Sequence, residues 1–205
     1  MRISAVAPPL DRLIDTLAQR VIAASEELTA LDSAIGDADH GLNMKRGFEA
    51  ILAERANLVA KPLPDALKAM GTILVMKVGG ASGPLYGTLF MTLGKELPAD
   101  PSVADAARAM AAAMVALKAR GKADLGNKTM LDVLGPLADH LGSGGASFAS
   151  IRKLTAESAA ATVPMKAIRG RASFLGERSI GHMDPGARSS QIMIDAVCDV
   201  LEGKA

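Results

Sequence analysis

The chain has 205 residues and a net charge of +1, enough length for one domain with its own core. No basic stripe runs through it, so neither nucleic acid nor an anionic membrane surface is implied as a partner. Apolar residues make up 49% of the chain, yet it holds only four Phe, one Tyr and no Trp, so the core must be built from Ala, Leu, Ile, Val and Met. That composition favours closely packed helices.

The segment Met1–Pro9 lacks a signal-peptide core, and no apolar run is long enough to span a bilayer, so a cytoplasmic location is the expectation. After Pro8-Pro9, Leu10, Leu13, Ile14, Leu17, Val21, Leu28 and Leu31 recur at helical spacing and predict one long amphipathic helix. A second helix carries Met44, Phe48, Ile51 and Leu52. Pro62 and Pro64 precede a third, with Leu67, Met70, Ile73 and Leu74. A fourth holds Leu89, Phe90 and Leu93 and stops before Pro98. The fifth is Ala-rich, from Val103 to Gly121; the sixth runs through Met130 and Leu141 with a kink expected at Pro136. The seventh is predicted from about Phe148 to Ile168, with Pro164 as a candidate bend. The last holds Ile192, Ile194, Val197 and Leu201, with Ser189 or Ser190 as N-cap. Cys198, the one cysteine, reads as a buried small apolar residue in a reducing compartment.

About eight helices with mostly short connections make an all-α, antiparallel arrangement. The rival is an α/β fold in which Ile73–Val78 is a buried strand feeding a phosphate loop. No second strand is available to pair with it.

Four loops interrupt these helices. The first, Leu31–Gly41, places Asp32, Asp37 and Asp39 within one short stretch that turns on Gly36. Asp32 sits at a predicted helix C-terminus, where an acid opposes the helix dipole, so helix stability does not explain it. Converging carboxylates repel one another and suit a hard cation such as Mg²⁺, Ca²⁺ or Mn²⁺. A calcium loop starting at Asp37 would need Gly at its sixth position and Glu at its twelfth; Leu42 and Phe48 stand there. Mg²⁺ completed by water and a phosphate fits better, and a solvated acidic turn remains the alternative.

The second loop, Gly79–Gly87, is built of small residues that let backbone N–H groups approach a phosphate, with Pro84 in the first turn of the next helix. The third, Gly121–Thr129, nearly spells a Walker A sequence. One residue too many separates Gly126 from Lys128, and a helix precedes the loop instead of a strand, so a P-loop is rejected. Lys128 is left to meet a phosphate or an acid, or simply to precede Thr129 as a helix cap. The fourth, Gly170–Gly186, is long for a helix–helix connection, which suggests function. Its Arg171 and Arg178 are candidates for phosphate contact. His182 reads as a loop-stabilising residue.

As an ordered set, the stretches Gly36–Asn43, Gly79–Gly87, Gly121–Asp132 and Gly170–Gly186 resemble the nucleotide-binding subunits of bacterial dihydroxyacetone kinases, the DhaL family. Asn127 departs from the Asp expected there. The resemblance implies a closed barrel of eight antiparallel amphipathic helices with the nucleotide in the loops at one end. It implies that Asp32, Asp37 and Asp39 hold two Mg²⁺ ions bridging the phosphates of ADP or ATP. His40, Gly41, Leu42 and Asn43 would line the nucleotide, Ala81 and Ser82 would contact phosphate, and Gly121 and Met130 would border the adenine. Arg171 and Asp184 would close the site, and Arg178 would assist transfer.

The implied activity is phosphoryl transfer from a phosphotransferase-system subunit, through bound nucleotide, to dihydroxyacetone held on a separate substrate-binding subunit. The shortness of the chain favours this split version. A transcriptional regulator and a second copy of the chain are further partners the resemblance allows. The alternatives are an ATP-dependent kinase subunit for another short ketose or sugar acid, and a nucleotide-bound regulatory module.

Overall fold

The structure, a computed structural model, describes residues 9–204; the stretch read for a signal peptide lies outside them except for Pro9. Every regular element among the described residues is helical, and no helix is long and apolar enough to cross a membrane.

The first amphipathic run folds as two helices, α1 (Leu10–Ala23) and α2 (Ser25–Ile35), instead of the single helix its periodicity predicts. The chain turns at Ala24, where ψ is 4°. The turn brings α2 onto α3 (His40–Ala53), and Ser25 Oγ donates to the Gly41 carbonyl at 3.1 Å. Side-chain periodicity reports which face is buried and does not change when a helix bends without changing that face.

A short α4 (Arg55–Val59) leads to α5 (Leu63–Lys77), which absorbs most of the rival strand segment into a helix; only Val78 is extended. Then come α6 (Ser82–Glu96), α7 (Val103–Gly121) and α8 (Leu131–Gly142), the last running on through Pro136. The seventh predicted helix, α9, is shorter than expected, Phe148–Ala161. Thr162 Oγ1 turns back to donate to the Ala159 carbonyl at 2.6 Å, and Pro164 disfavours helical backbone at residue 163. The last helix, α10 (Pro185–Leu201), starts earlier than predicted. Asp184, not Ser189 or Ser190, is its N-cap and accepts from Ala187 N at 2.7 Å, with Pro185 at the first helical position. Both serines are buried inside the helix.

Successive long helices pack on one another: α3 on α5, then α5 through α10 in order, with α10 back on α1 and α1 on α3. They enclose a core rich in Leu, Met and Ala, including Ile14, Leu28, Met44, Leu74 and Leu117, and buried Cys198 belongs to it. Phe48 and Phe90 meet edge to face at 6.5 Å. A second, apolar cavity is lined by Leu17, Met70, Phe90, Met110, Leu137 and Met193.

At Gly41 the backbones of α2 and α3 pack closely. A Cβ there would lie 2.0 Å from the Ser25 carbonyl oxygen and 2.4 Å from Thr29 Oγ1. Backbone cannot yield as a flexible side-chain tip can. Gly41→Ala should therefore destabilise the fold by about 3 kcal/mol, lowering the thermal midpoint by about 6–12 °C. Gly142→Ala, with nothing within 4 Å of the added carbon, serves as the control. Equal melting of the two variants would refute the close-packing argument.

Candidate nucleotide and metal site

Four connections meet at one cavity: α2–α3, α5–α6, α7–α8 and α9–α10. Its lining includes Asp32, Asp37, Asp39, His40, Ala81, Ser82, Met130, Arg171 and Asp184, all expected from the sequence.

Asp32 comes from the last turn of α2. Gly36 must lack a side chain because a Cβ would fall 2.1 Å from Asp32 Oδ1. The Asp32 carboxylate reaches across the turn, and its Oδ2 accepts from Asp39 N at 2.8 Å and His40 N at 3.1 Å. The acid at the C-terminus of α2 thus serves the N-terminus of α3, whose own Asp39 makes no capping bond. Between Asp37 and Asp39, Ala38 is held at φ 61°, a backbone conformation that non-glycine residues seldom adopt. The result is that ligand oxygens of Asp32, Asp37 and Asp39 all lie within 4.8 Å of one another. An all-oxygen donor set of this density fits a hard divalent cation. Arg171 pairs with Asp37 at 2.9 Å from the opposite loop.

The phosphate loop approaches from α6. Gly80 has φ 63°, and Ala81, at the N-cap of α6, makes no side-chain capping bond, so that helix terminus keeps backbone donors for an anion. Ser82 Oγ lies 3.0 Å from His40 Nδ1. His40 Nε2 lies 3.0 Å from Ser189 Oγ, and Ser189 Oγ is 2.7 Å from the Tyr86 hydroxyl, which also meets Ser190 Oγ at 3.1 Å. This buried chain ties the phosphate loop to α3 and α10. Burial pulls the His40 pKa below its ordinary value, against the opposing pull of Asp32 and Asp39, and burial lifts the Tyr86 phenol to about 12.

Other expected residues stand beside the cavity and do not line it. Gly41 is spent on helix packing, and Leu42 is 60% exposed. Asn43 packs its amide against Gly79 and accepts from Arg46, bracing the phosphate loop from behind. Gly121 packs against Leu85, which does line the cavity. Arg178 is exposed on the 3₁₀ segment Arg171–Ser179 and points into no part of the lining; Arg169, which the sequence did not single out, takes a place there with Arg171. The other residues that sequence reasoning missed are Tyr86 and Ser189 of the buried chain, and Asp132. The Asp132 carboxylate accepts from Gly126 N at 2.5 Å and Thr129 N at 2.7 Å, fixing the turn before α8. Thr129 is not the N-cap of that helix, a position Met130 holds, though its Oγ1 accepts from Leu131 N at 3.2 Å.

Asp184 is a strongly perturbed group of the site. Burial pushes its carboxyl up to about 7; the bond from Ala187 N draws it down, Asp132 raises it, and Lys128 lowers it. The folded chain keeps this proton over a range in which the unfolded chain, with an ordinary value of 3.8, has released it. This group therefore favours folding at low pH, and that contribution is withdrawn as pH rises from about 4 to about 7. Asp184→Asn keeps a capping acceptor and removes the titration. Its thermal midpoint should fall less than that of the parent between about pH 5 and 7.5, and parallel curves would exclude the effect.

Residues 34–199 match the family model of the DAK2 domain, and the chain belongs to that family. Among its relatives is the ADP-binding subunit DhaL of the PEP-dependent dihydroxyacetone kinase of Escherichia coli, 42% identical over 179 residues, covering 83% of this chain and 85% of the relative. The ADP-binding subunit DhaL of kinase 1 of Listeria innocua is 38% identical, covering 91% and 92%. The crystal structure of the dihydroxyacetone kinase of C. freundii shares the fold, with a TM-score of 0.76 at 23% identity; the match covers 95% of this chain and 35% of that one.

Proposed function

We propose that this chain is the nucleotide-binding subunit of a dihydroxyacetone kinase of the DhaL type, holding ADP or ATP with two Mg²⁺ ions. The single observation that carries the reading is the gathering of three carboxylates beside the open N-terminus of α6, in one cavity. Asp32, Asp37 and Asp39 would hold the metal, which when bound neutralises charge on the phosphates. Ala81 and Ser82 would present N–H groups to phosphate, with His40 fixing the Ser82 hydroxyl. Met130 and Leu85, both in the cavity lining, offer flexible apolar contacts for a base, and the Met130 thioether adds polarisability. Arg171 and Asp184 close the cavity, and Arg178, exposed on the same segment, is free to meet a partner.

In this reading the helices form a closed eight-membered barrel, and α2 and α4 are continuations of α1 and α3. The ring of neighbouring helix contacts supports it. The nucleotide serves as a phosphoryl carrier in a cytoplasmic complex. A phosphotransferase-system subunit donates to it, and dihydroxyacetone on a separate substrate-binding subunit accepts. A regulator or a second copy of the chain would use the same loop end.

The test is a phosphoryl-transfer assay. The chain with Mg²⁺–ATP and dihydroxyacetone alone should yield no sugar phosphate. Product should form once the substrate-binding subunit and a phosphoenolpyruvate-driven donor are added, and Arg178→Ala should slow transfer more than it weakens ADP binding. Turnover by the isolated chain at about 1–100 s⁻¹, the ordinary kinase range, would overturn the split-subunit reading.

A further inference from the structure

Lys128 combines two unfavourable features. It is 1% exposed, and its backbone is left-handed at φ 61° although it is not glycine. A long charged side chain is rarely buried unless its ammonium is fully used, and strained backbone persists where surrounding structure enforces it. Its position in the near-Walker stretch suggests a phosphate ligand. The bonding says otherwise. Nζ lies 2.6 Å from the His182 carbonyl, 2.7 Å from that of Ser179 and 3.0 Å from that of Met165, with the Val163 carbonyl at 3.4 Å. An ammonium has three N–H groups, so no donor remains for a phosphate.

The four carbonyls belong to the two feet of one excursion. Val163 and Met165 lie just after α9; Ser179 and His182 lie just before α10. Between the feet the chain supplies Arg169 and Arg171 to the cavity, and directly after the second foot it supplies Asp184. Other bonds join the same feet: Gly181 N donates to the Val163 carbonyl at 2.8 Å and Ala167 N to Ser179 Oγ at 2.9 Å. Ile168 N donates to the Asn127 carbonyl at 3.3 Å, next to Lys128 itself. Two residues on, Met130 lines the cavity. One ammonium thus stands at the junction of the turn that supplies Met130 and the segment that supplies Arg171 and Asp184.

We propose that Lys128 is a positioning residue for the nucleotide: its ammonium ties the 162–184 segment to the α7–α8 turn and so sets Arg171 and Asp184 against the aspartate loop. The inference rests on the nucleotide-site reading above. Without the ammonium, four carbonyl dipoles face one another with no shared donor, and the segment loses its fixed distance from the cavity. The aspartate loop has its own bonds, through Asp32 and the N-terminus of α3, and meets the segment at the Arg171–Asp37 pair and where Ile35 packs with Ala167 and Ala172.

The experiment separates these halves. Mn²⁺ binding is read by electron paramagnetic resonance without nucleotide, and ADP binding by calorimetry at saturating Mn²⁺. Lys128→Met, which keeps an unbranched apolar stem, should leave Mn²⁺ affinity near that of the parent. It should weaken ADP by about 10–100-fold, the scale of a binding group displaced by an ångström. Unchanged ADP affinity overturns the proposal, as does an equal loss of Mn²⁺ and ADP affinity, which marks Lys128 as merely structural. If Lys128→Met does not fold, Lys128→Gln decides: its shorter, neutral side chain carries two amide N–H donors and cannot serve the four carbonyls the ammonium joins. Weakened ADP with intact Mn²⁺ binding then supports the proposal, and parent-like ADP binding overturns it. A parent protein that binds neither Mn²⁺ nor ADP removes the nucleotide-site reading itself.

Discussion

Asp37→Asn should abolish most metal-dependent ADP binding while leaving the fold intact. Its ligand oxygen lies within 4.8 Å of those of Asp32 and Asp39, so it shares directly in the cation site. Replacing it with Asn keeps the size and removes the charge. Outer-shell partners of a metal are typically worth about 10–100-fold in affinity, and a direct anionic ligand should cost at least the upper end of that range. Asp37 has little structural duty: its charged partner among the described residues is the exposed Arg171. Asp32→Asn is different, because the Asp32 carboxylate also satisfies Asp39 N and His40 N at the start of α3. A carboxamide oxygen is a weaker acceptor there. Asp32→Asn should therefore lower the melting midpoint in EDTA, whereas Asp37→Asn should not. Calorimetry with Mg²⁺ and ADP, paired with melts in EDTA, reads both effects. Parent-like ADP affinity for Asp37→Asn would remove the carboxylate cluster from the site.

The contrast between these two aspartates shows what a linear chain discloses. That Asp32, Asp37 and Asp39 converge is legible, because Gly36 and the short spacing leave few other ways to fold the stretch. That Asp32 caps the next helix is not, since the amides it serves, Asp39 N and His40 N, are met only once the chain has turned at Gly36. The helices were legible from periodicity, yet the break at Ala24 carries no residue signal; Gly41, sixteen residues beyond Ser25, permits it. Ser189 and Ser190 read as a helix start because serine usually caps. Their burial depends on Tyr86 and His40, which meet them from other helices. In the last loop, a choice between Arg169, Arg171 and Arg178 turns on a 3₁₀ segment broken at Gly176, where φ is 57° and ψ −125°. Nothing local specifies which guanidinium then faces the cavity. Lys128 misleads most directly: a near-Walker context suggests phosphate, and only the tertiary course of residues 163–182 reveals four carbonyls awaiting a donor.

Mg²⁺ and ADP together should stabilise the folded chain strongly, and neither alone should do so. ADP brings further negative charge to a loop that already carries three aspartates, with Arg171 as the cation paired to one of them. A divalent ion is what makes the two anionic surfaces compatible. Nucleotide and metal should therefore bind with positive coupling, each raising the affinity of the other. At a thousandfold excess over the dissociation constant, binding to the folded state adds about 4 kcal/mol. For a domain of this size that corresponds to a rise in midpoint of roughly 8–16 °C. Protein purified in Mg²⁺ should carry ADP with it, and EDTA should return the midpoint to that of the stripped protein. The decisive arm is ADP in EDTA. A stabilisation equal to that given by Mg²⁺–ADP would show that nucleotide binds without the metal, and the three carboxylates would then need another explanation.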